Sequence, residues 1–369
     1  MPTHSRAPVA ARLLLVAASL LPARAVAAED DHIVVTARRS PETPGSAEGV
    51  DAVRLRETTA LVTPEDAVRY LPSLLVRQRH PGDTQAPLAT RTSGVGASAR
   101  SLIYADGILL SALIGNNNSS ASPRWFMVAP EEIERVDVLY GPFSAAYPGN
   151  SIGAVVNIAT RQPDHFEAMS KAAAAVQSFR QYGAEGVYPA YQLAGSAGGR
   201  LGRFSWFASA NRLSSRSQPL AYVTVPRTGS AAPAGGAFAG VSRTGSPVWV
   251  IGAGGFEDQE EATLKLKLGF ELTPWLRIGW RSGLFVNHTA ASARTRLDGG
   301  VYAGRVSLGG ADVAIPASAF SNNVYRLAEQ HRMHALSLGG QAAGFDWRAI
   351  ASLYEYDEDT QRLPSTALP

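Results

Sequence analysis

In the second half of the chain, apolar and polar residues alternate with a period of two. In Leu264–Leu272 every even position is apolar and the odd positions are lysine, glycine or glutamate. That is the mark of a strand with one apolar and one polar face. Thr273 and Pro274 turn the chain, and residues 275–286 return as a strand. Further strands are predicted over 168–179, 184–196, 203–212, 331–342 and 345–356. In one, Phe204, Trp206, Ala208 and Ala210 oppose Arg203, Ser205, Ser209 and Asn211; in the last, Phe345, Trp347, Ala349, Ala351 and Leu353 share a face. Segments of about ten alternating residues with aromatic ends fit membrane-barrel strands better than the roughly 5–6-residue strands of soluble sandwiches. The links near 200, 273 and 343 are short, whereas 213–261 and 287–330 are long and rich in Gly, Ser and Pro. Strict alternation of short and long links is therefore expected, with both long links on the outer side of a membrane.

The first half is patterned differently. Arg6 and Arg12 precede the apolar run Leu13–Leu21, followed by Pro22 and the small residues Ala25–Ala28. A nine-residue apolar helix rises only ~14 Å, too little to span a ~30 Å hydrocarbon layer. Residues 1–28 therefore read as a cleaved secretory signal. Residues 29–47 form a polar arm interrupted by the β-branched island Ile33-Val34-Val35-Thr36-Ala37, an extended segment without a partner in its own neighbourhood. Residues 48–165 read as a small α+β unit. Thr63-Pro64-Glu65-Asp66 and Pro130-Glu131-Glu132 carry helix-start chemistry. Strands are predicted at Leu74–Val76, Ser101–Tyr104, Val136–Tyr140 and Ala154–Ile158, with Asp106-Gly107 as a turn.

Composition narrows the function classes. The 369 residues carry 34 basic and 31 acidic side chains, and removing the three arginines of the signal leaves a net charge of zero. Nucleic-acid binding driven by bulk charge is thereby excluded. With no cysteine there is no disulfide scaffold and no thiol chemistry. No nucleophile elbow, zinc-protease helix, phosphate-binding loop or dinucleotide fingerprint is present, so the expectation is a protein that is not an enzyme and carries no cofactor or resident metal. The seven histidines lack metal-ligand spacing; His331 and His334, three apart in an alternating strand, are expected on opposite faces. Asp357-Glu358-Asp359 is read as a solvated acidic run in preference to a cation site.

Residues 130–161, PEEIERVDVLYGPFSAAYPGNSIGAVVNIATR, resemble the end of the plug domain of TonB-dependent outer-membrane receptors. The likeness lies in Ile133-Glu134-Arg135-Val136, Gly141-Pro142, Tyr147 and Gly153–Ile158. Asp31–Arg39 resembles the family's TonB box, and Tyr104-Ala105-Asp106-Gly107 resembles a plug strand end. Two departures are Thr92 after Arg91, where glycine is common, and Pro148 after Tyr147. The resemblance implies an α+β plug domain followed by an antiparallel transmembrane β-barrel. Only about seven strands fit in 166–369, against the roughly 22 of the large transporters. A partial barrel, the product of a truncated or fragmentary gene, is therefore expected.

The function implied is TonB-dependent import of a scarce ligand, an iron–siderophore complex first, across the outer membrane. Cobalamin, another metal complex or a carbohydrate are alternatives, and a passive porin-like or surface-adhesive barrel is a reading of a different class. The implied partners are TonB with its inner-membrane energising complex, outer-membrane lipid and an extracellular small molecule. Ile33, Val34, Val35, Thr36 and Ala37 would pair with TonB by adding a strand to its sheet. Outward plug loops, His80–Ala99 and Gly115–Trp125, would meet the ligand. There Arg91 and Arg124 would supply charge, Asn116, Asn117 and Asn118 amide hydrogen bonds, and Trp125 a stacking ring.

Overall fold

In the computed structural model, residues 47–94, 100–111, 124–141, 147–227, 235–342 and 344–364 are described. The signal and Ile33–Ala37 lie outside them, as do Asn116, Asn117 and Asn118. The described residues form a small mixed sheet and a long-stranded antiparallel sheet that belong to one compact unit.

The small sheet is built from β1 (Ala47–Asp51), β4 (Leu102–Ala105), β5 (Ile108–Leu109), β6 (Ile133–Tyr140) and β7 (Ala154–Thr160), in the order β1-β6-β7-β4-β5. Only β4 and β7 run parallel. A separate hairpin joins β2 (Leu74–Val76) and β3 (Leu88–Thr90). Asp106 and Gly107, at φ 50° and 82°, form the two-residue turn between β4 and β5 that the sequence predicts. The core is fully apolar where β4, β6 and β7 meet: Leu102, Ile103, Val136, Val138, Val155 and Val156 are all buried.

Two helix expectations change. Pro64–Val68 and Pro130–Glu132 are short 3₁₀ turns, not α-helices. In the first, Asp66 Oδ2 reaches back to accept from the N–H groups of Val62 (2.8 Å) and Thr63 (2.9 Å), closing the turn before a second α turn forms. The helix that does form, α1 (Ala52–Thr58), was not predicted; Asp51 caps it by accepting from Arg54 N at 2.8 Å.

The long sheet has seven principal strands: β8 (Glu167–Gln181), β9 (Ala184–Leu201), β10 (Phe204–Arg216), β13 (Pro247–Thr273), β14 (Leu276–Thr295), β17 (Tyr325–Ala342) and β18 (Phe345–Arg362). They pair in chain order, with β8 and β18 at its two edges, so the sheet is an open barrel wall. All seven strands expected from the alternation are present, each longer than the pattern alone gave. On the outer face of β13, Ala262, Leu264, Leu266, Leu268, Phe270 and Leu272 stand in a row. Ten residues at ~3.4 Å each and ~40° tilt climb about 26 Å, close to the ~25 Å apolar band of an outer-membrane barrel. No described helix is long and apolar enough to cross a membrane.

Strict alternation of link lengths does not hold. The β8–β9 link is a two-residue turn, Tyr182-Gly183, at the same end of the wall as both long links. The long links are also not plain loops. β11 (Ala221–Pro226) and β12 (Phe238–Val241) flank the first part of β13, and β15 (Gly304–Leu308) pairs with β16 (Ala311–Ile315). Together they bury a second apolar core around Trp249, Ile251, Leu308 and Phe320.

The end of β6 meets the start of β7 at a close backbone approach. A Cβ on Gly141 would stand 2.0 Å from the Ile152 carbonyl oxygen, and one on Gly153 would stand 2.6 Å from Ser101 Oγ. The Gly141 N–H donates to the Gly153 carbonyl across this contact (3.2 Å). Gly141→Ala is expected to destabilise this unit by about 1–3 kcal/mol, the usual cost of overpacking. Limited proteolysis across a urea series checks this; an unmoved midpoint would mean that Ile152 shifts freely.

Candidate functional site

The inner face of the wall mixes charged side chains with an apolar patch around Phe285, Met333 and Ala335, and the small α+β unit packs against both. Pro130-Glu131-Glu132 is the hinge of that contact. Its tight turn sends two consecutive carboxylates in different directions. Glu131 reaches Lys171 Nζ of β8 (3.2 Å) and accepts from Asn211 Nδ2 of β10 (3.1 Å). Glu132 is fully buried and pairs with Lys265 Nζ at 2.6 Å and Lys267 Nζ at 3.5 Å, both on β13. Lys265 also donates to the Met127 carbonyl, and Lys267 donates to Thr160 Oγ1 (2.7 Å) and the Arg161 carbonyl (2.6 Å). Asp106 joins from the β4–β5 turn. It accepts from the Thr160 N–H (2.9 Å) and lies 3.3 Å from Arg281 Nε, and its carbonyl accepts from Arg348 (2.9 Å). Burial alone would raise the Asp106 carboxyl, but the cations of Arg281 and Lys267 and the bonds from Thr160 hold it below the usual carboxylate range.

A second contact carries the loop Arg79–Asp83. His80 Nε2 lies 2.6 Å from Glu257 Oε2 on β13, and Tyr325 Oη donates to Glu257 Oε1 at 2.5 Å. Arg79 forks onto Asp83 at 2.8 and 2.7 Å. Burial would raise Asp83, yet the adjacent guanidinium outweighs it and keeps the carboxyl below its ordinary value.

A third contact holds Arg124. Its guanidinium, 3% exposed, sits 3.4 Å from Glu329 Oε1 and 3.3 Å from Asp359 Oδ2, while Asn287 donates to the other Glu329 oxygen at 2.7 Å. His331 stacks on Tyr356 with ring centroids 4.3 Å apart. Glu329, His331 and Asp359 bring three ligand-type atoms within 4.8 Å of one another, but the Arg124 guanidinium already answers both carboxylates. Asp357 is likewise taken by Arg332, at 2.6 Å. His331 is buried and His334 exposed, on opposite faces as the spacing implied.

The residues expected to touch ligand are therefore placed unequally. Arg91 is exposed and donates to Ser73 Oγ at 3.0 Å. Arg124 is buried against the wall. Trp125 is 1% exposed within the main apolar core, so its ring is not offered for stacking in this structure. The phenyl ring of Phe126 instead stacks on Phe285 of the wall at 4.3 Å. Lys265, Lys267 and Glu132 went unread in the sequence. The lysines looked like a solvated strand face and the glutamate like a helix-start acid. The available signal was that polar residues on the inner face of a filled wall must find partners.

Residues 40–155 match the family described as the TonB-dependent Receptor Plug Domain. That match places a plug domain in this stretch of the chain. The small unit is the plug, and the long sheet has the fold of part of the barrel of TonB-dependent receptors. A curated relative, the ferric enterobactin receptor PirA of Pseudomonas aeruginosa, is 28% identical over 196 residues, 44% of this chain and 25% of that protein. A solved variant of the ferric enterobactin receptor PfeA from the same organism, in complex with enterobactin, superposes with a TM-score of 0.54 at 14% identity, covering 85% of this chain and 41% of that one. A second PfeA variant gives 0.54 at 14% identity, covering 85% and 40%. These structural likenesses show the fold. The chain spans about a quarter of the length of the curated relative and about two fifths of the solved receptors.

Removing the Glu132 charge leaves two lysines buried with too little compensation, a change that typically costs about 3–5 kcal/mol. Glu132→Ala is thus expected to loosen the plug at lower urea, read by protease access to it. Replacing Glu132, Lys265 and Lys267 together by apolar residues of similar size should recover most of the loss. A second expectation concerns Glu65, buried beside a cavity of about 40 Å³ that Asp83, Asn211 and Glu261 also line. Burial, with smaller contributions from Asp66 and Asp83, pushes its carboxyl from 4.5 up to about 8 against opposing hydrogen bonds from its own backbone and Thr63. A pKa raised on folding contributes stability that is complete below the unfolded value and lost as pH rises through the folded one. The chain should therefore lose stability between pH 4.5 and about 8 through this group. Glu65→Gln should flatten that part of a pH–stability curve.

Proposed function

We propose that this chain serves TonB-dependent import of a ferric siderophore across the bacterial outer membrane, with enterobactin the first cargo to test. The observation that carries the reading is the seating of the plug on the inner face of the wall through three sets of buried charges, Glu132 with Lys265 and Lys267, His80 with Glu257, and Arg124 with Glu329. A plug held this way does not drift aside, so passage past it needs work from outside the barrel. The name of the curated relative, a ferric enterobactin receptor, supports the choice of cargo.

In this reading residues 1–28 direct export and are removed, and the mature protein resides in the outer membrane. Ile33-Val34-Val35-Thr36-Ala37 is the handle that TonB grips by strand addition, with main-chain hydrogen bonds bearing the pull. Ligand contact falls to Arg91 and to Asn116, Asn117 and Asn118. Arg124 and Trp125 tie the end of that segment to the wall and to the plug core.

The test is uptake of radiolabelled ferric enterobactin by cells that lack their own receptors and express the protein carrying this chain. Val34→Pro removes a ladder donor from the handle. It is expected to abolish uptake while leaving surface binding of ferric enterobactin intact. Undiminished uptake by this variant would refute the handle, and failure of the parent to bind would refute the cargo.

A further inference from the structure

Where the Pro64–Val68 turn of the plug faces the wall, two acidic side chains share a small space. Glu65 of that turn and Glu261 of β13 both line the cavity of about 40 Å³ between the two elements. Glu65 is 4% exposed, and its Oε2 has no hydrogen-bond partner among the described residues. Glu261 Oε1 accepts from Gln259 Nε2, which also donates to the Gly82 carbonyl of the plug. A Cβ on Gly82 would stand 3.3 Å from Glu261 Oε1, so the plug backbone closes over this carboxylate. Neither glutamate has an ion-pair partner among the described residues. Asp83 lines the same cavity, but Arg79 engages both of its oxygens, at 2.8 and 2.7 Å.

Two carboxylates buried together without a cation are costly, and here Phe126, Leu213 and Phe285 supply much of the remaining lining. The wall brings two neutral oxygens to the same place. Asn211 of β10 and Thr263 of β13 are cross-strand partners, two residues along from the pair Leu213 and Glu261, and both line the cavity. Asn211 spends its Nδ2 on Glu131 at 3.1 Å, which leaves Oδ1, in long contact with Gln192 Nε2 at 3.4 Å, as its acceptor. The donor set is thus all oxygen and carries two negative charges, the preference of a hard divalent cation. Two bidentate carboxylates, an amide and a hydroxyl supply about six oxygens, the low end of what calcium takes in irregular geometry. Magnesium demands a near-ideal octahedron and keeps several waters, for which this cavity is too small.

We propose that Glu65, Glu261, Asn211 and Thr263 hold a calcium ion that ties the plug to the wall. Glu65 comes from the plug and the other three from the wall, so the ion bridges the two and is lost when they separate. The inference concerns the seating of the plug and does not depend on what is imported.

The test uses the full chain, purified in detergent micelles and stripped with a chelator. It is run at about pH 9, above the value of about 8 near which Glu65 gives up its proton, because a ligating carboxyl must be ionised. Equilibrium dialysis against radiolabelled calcium is expected to show one saturable ion per chain, with half-saturation at ~10⁻⁴–10⁻³ M, over a sodium background of matched ionic strength. At ten times that concentration calcium should slow protease cleavage of the plug roughly tenfold, the factor by which binding to the seated form alone lowers the open population. Glu65→Gln and Glu261→Gln, nearly the same in shape, should each abolish retention, and Thr263→Val should weaken it severalfold. Asp357→Asn, at a carboxylate paired with Arg332 at 2.6 Å, should leave it unchanged. Retention by either glutamine variant equal to the parent's would overturn the proposal. A folded parent that retains no calcium would do the same and leave water as the occupant, and magnesium held as tightly as calcium would overturn the choice of ion. Where a glutamine variant fails to fold, Thr263→Val decides, and unweakened retention by it is an overturning result.

Discussion

Charges on the inner face of a filled barrel wall have almost no water to answer them, and the arrangement of the plug follows from that constraint. Lys265 and Lys267 are nearly inaccessible, and so is the carboxylate of Glu132 between them. Taking each ion out of water costs several kcal/mol, which the mutual attraction offsets only with good geometry and further hydrogen bonds. The further bonds are present: Lys267 reaches Thr160 and Arg161, and Glu132 Oε1 accepts from the Ala129 N–H at 2.9 Å. Such a cluster adds little net stability over apolar packing. It strongly penalises any seating of the plug that separates its members, so it specifies position more than it supplies energy.

The apolar part of the same interface supplies the adhesion. The main core runs continuously from the plug strands through Trp125, Phe126 and Met127 to Phe285, Met333 and Ala335 of the wall. Burying side chains of this size contributes about 1.5–3 kcal/mol each. Residues 124–132 therefore serve both purposes in one stretch. Arg124 and Glu132 are ionic at its ends, and an apolar run lies between them. A displacement of the plug along the wall must break the ionic register and expose this run together.

The wall was legible because its chemistry repeats every two residues, and the plug strands because Val and Ile cluster in short runs. The limits of legibility have particular physical causes. Residues 248–256 are buried on both faces, since β11 and β12 and the second core cover them, so they show no alternation and β13 looked shorter than it is. The 3₁₀ turn at Pro64 has every N-terminal signal of a helix; what stops it is the Asp66 side chain folding back on Val62 and Thr63, a matter of geometry and not composition. Lys265 and Lys267 satisfy a polar-out reading as well as a polar-in one, because period two fixes which residues share a face but not which face meets water. Arg124 and Trp125 look like an exposed pair in sequence and are placed inside by contacts with strands more than 200 positions away, at Glu329 and Asp359.

The same asymmetry separates what the plug and the wall demand of their sequences. The family match covers residues 40–155, the plug, while the structural likeness, at 14% identity, extends over 85% of the chain. A wall strand needs only a small or apolar residue outward and a polar one inward, a demand that many sequences meet. The plug needs particular residues at particular points. Gly141 and Gly153 must lack a Cβ where backbone and side chain close in, and Asp106-Gly107 must take positive φ at both turn positions. Glu131 and Glu132 must diverge from one turn to reach three different strands.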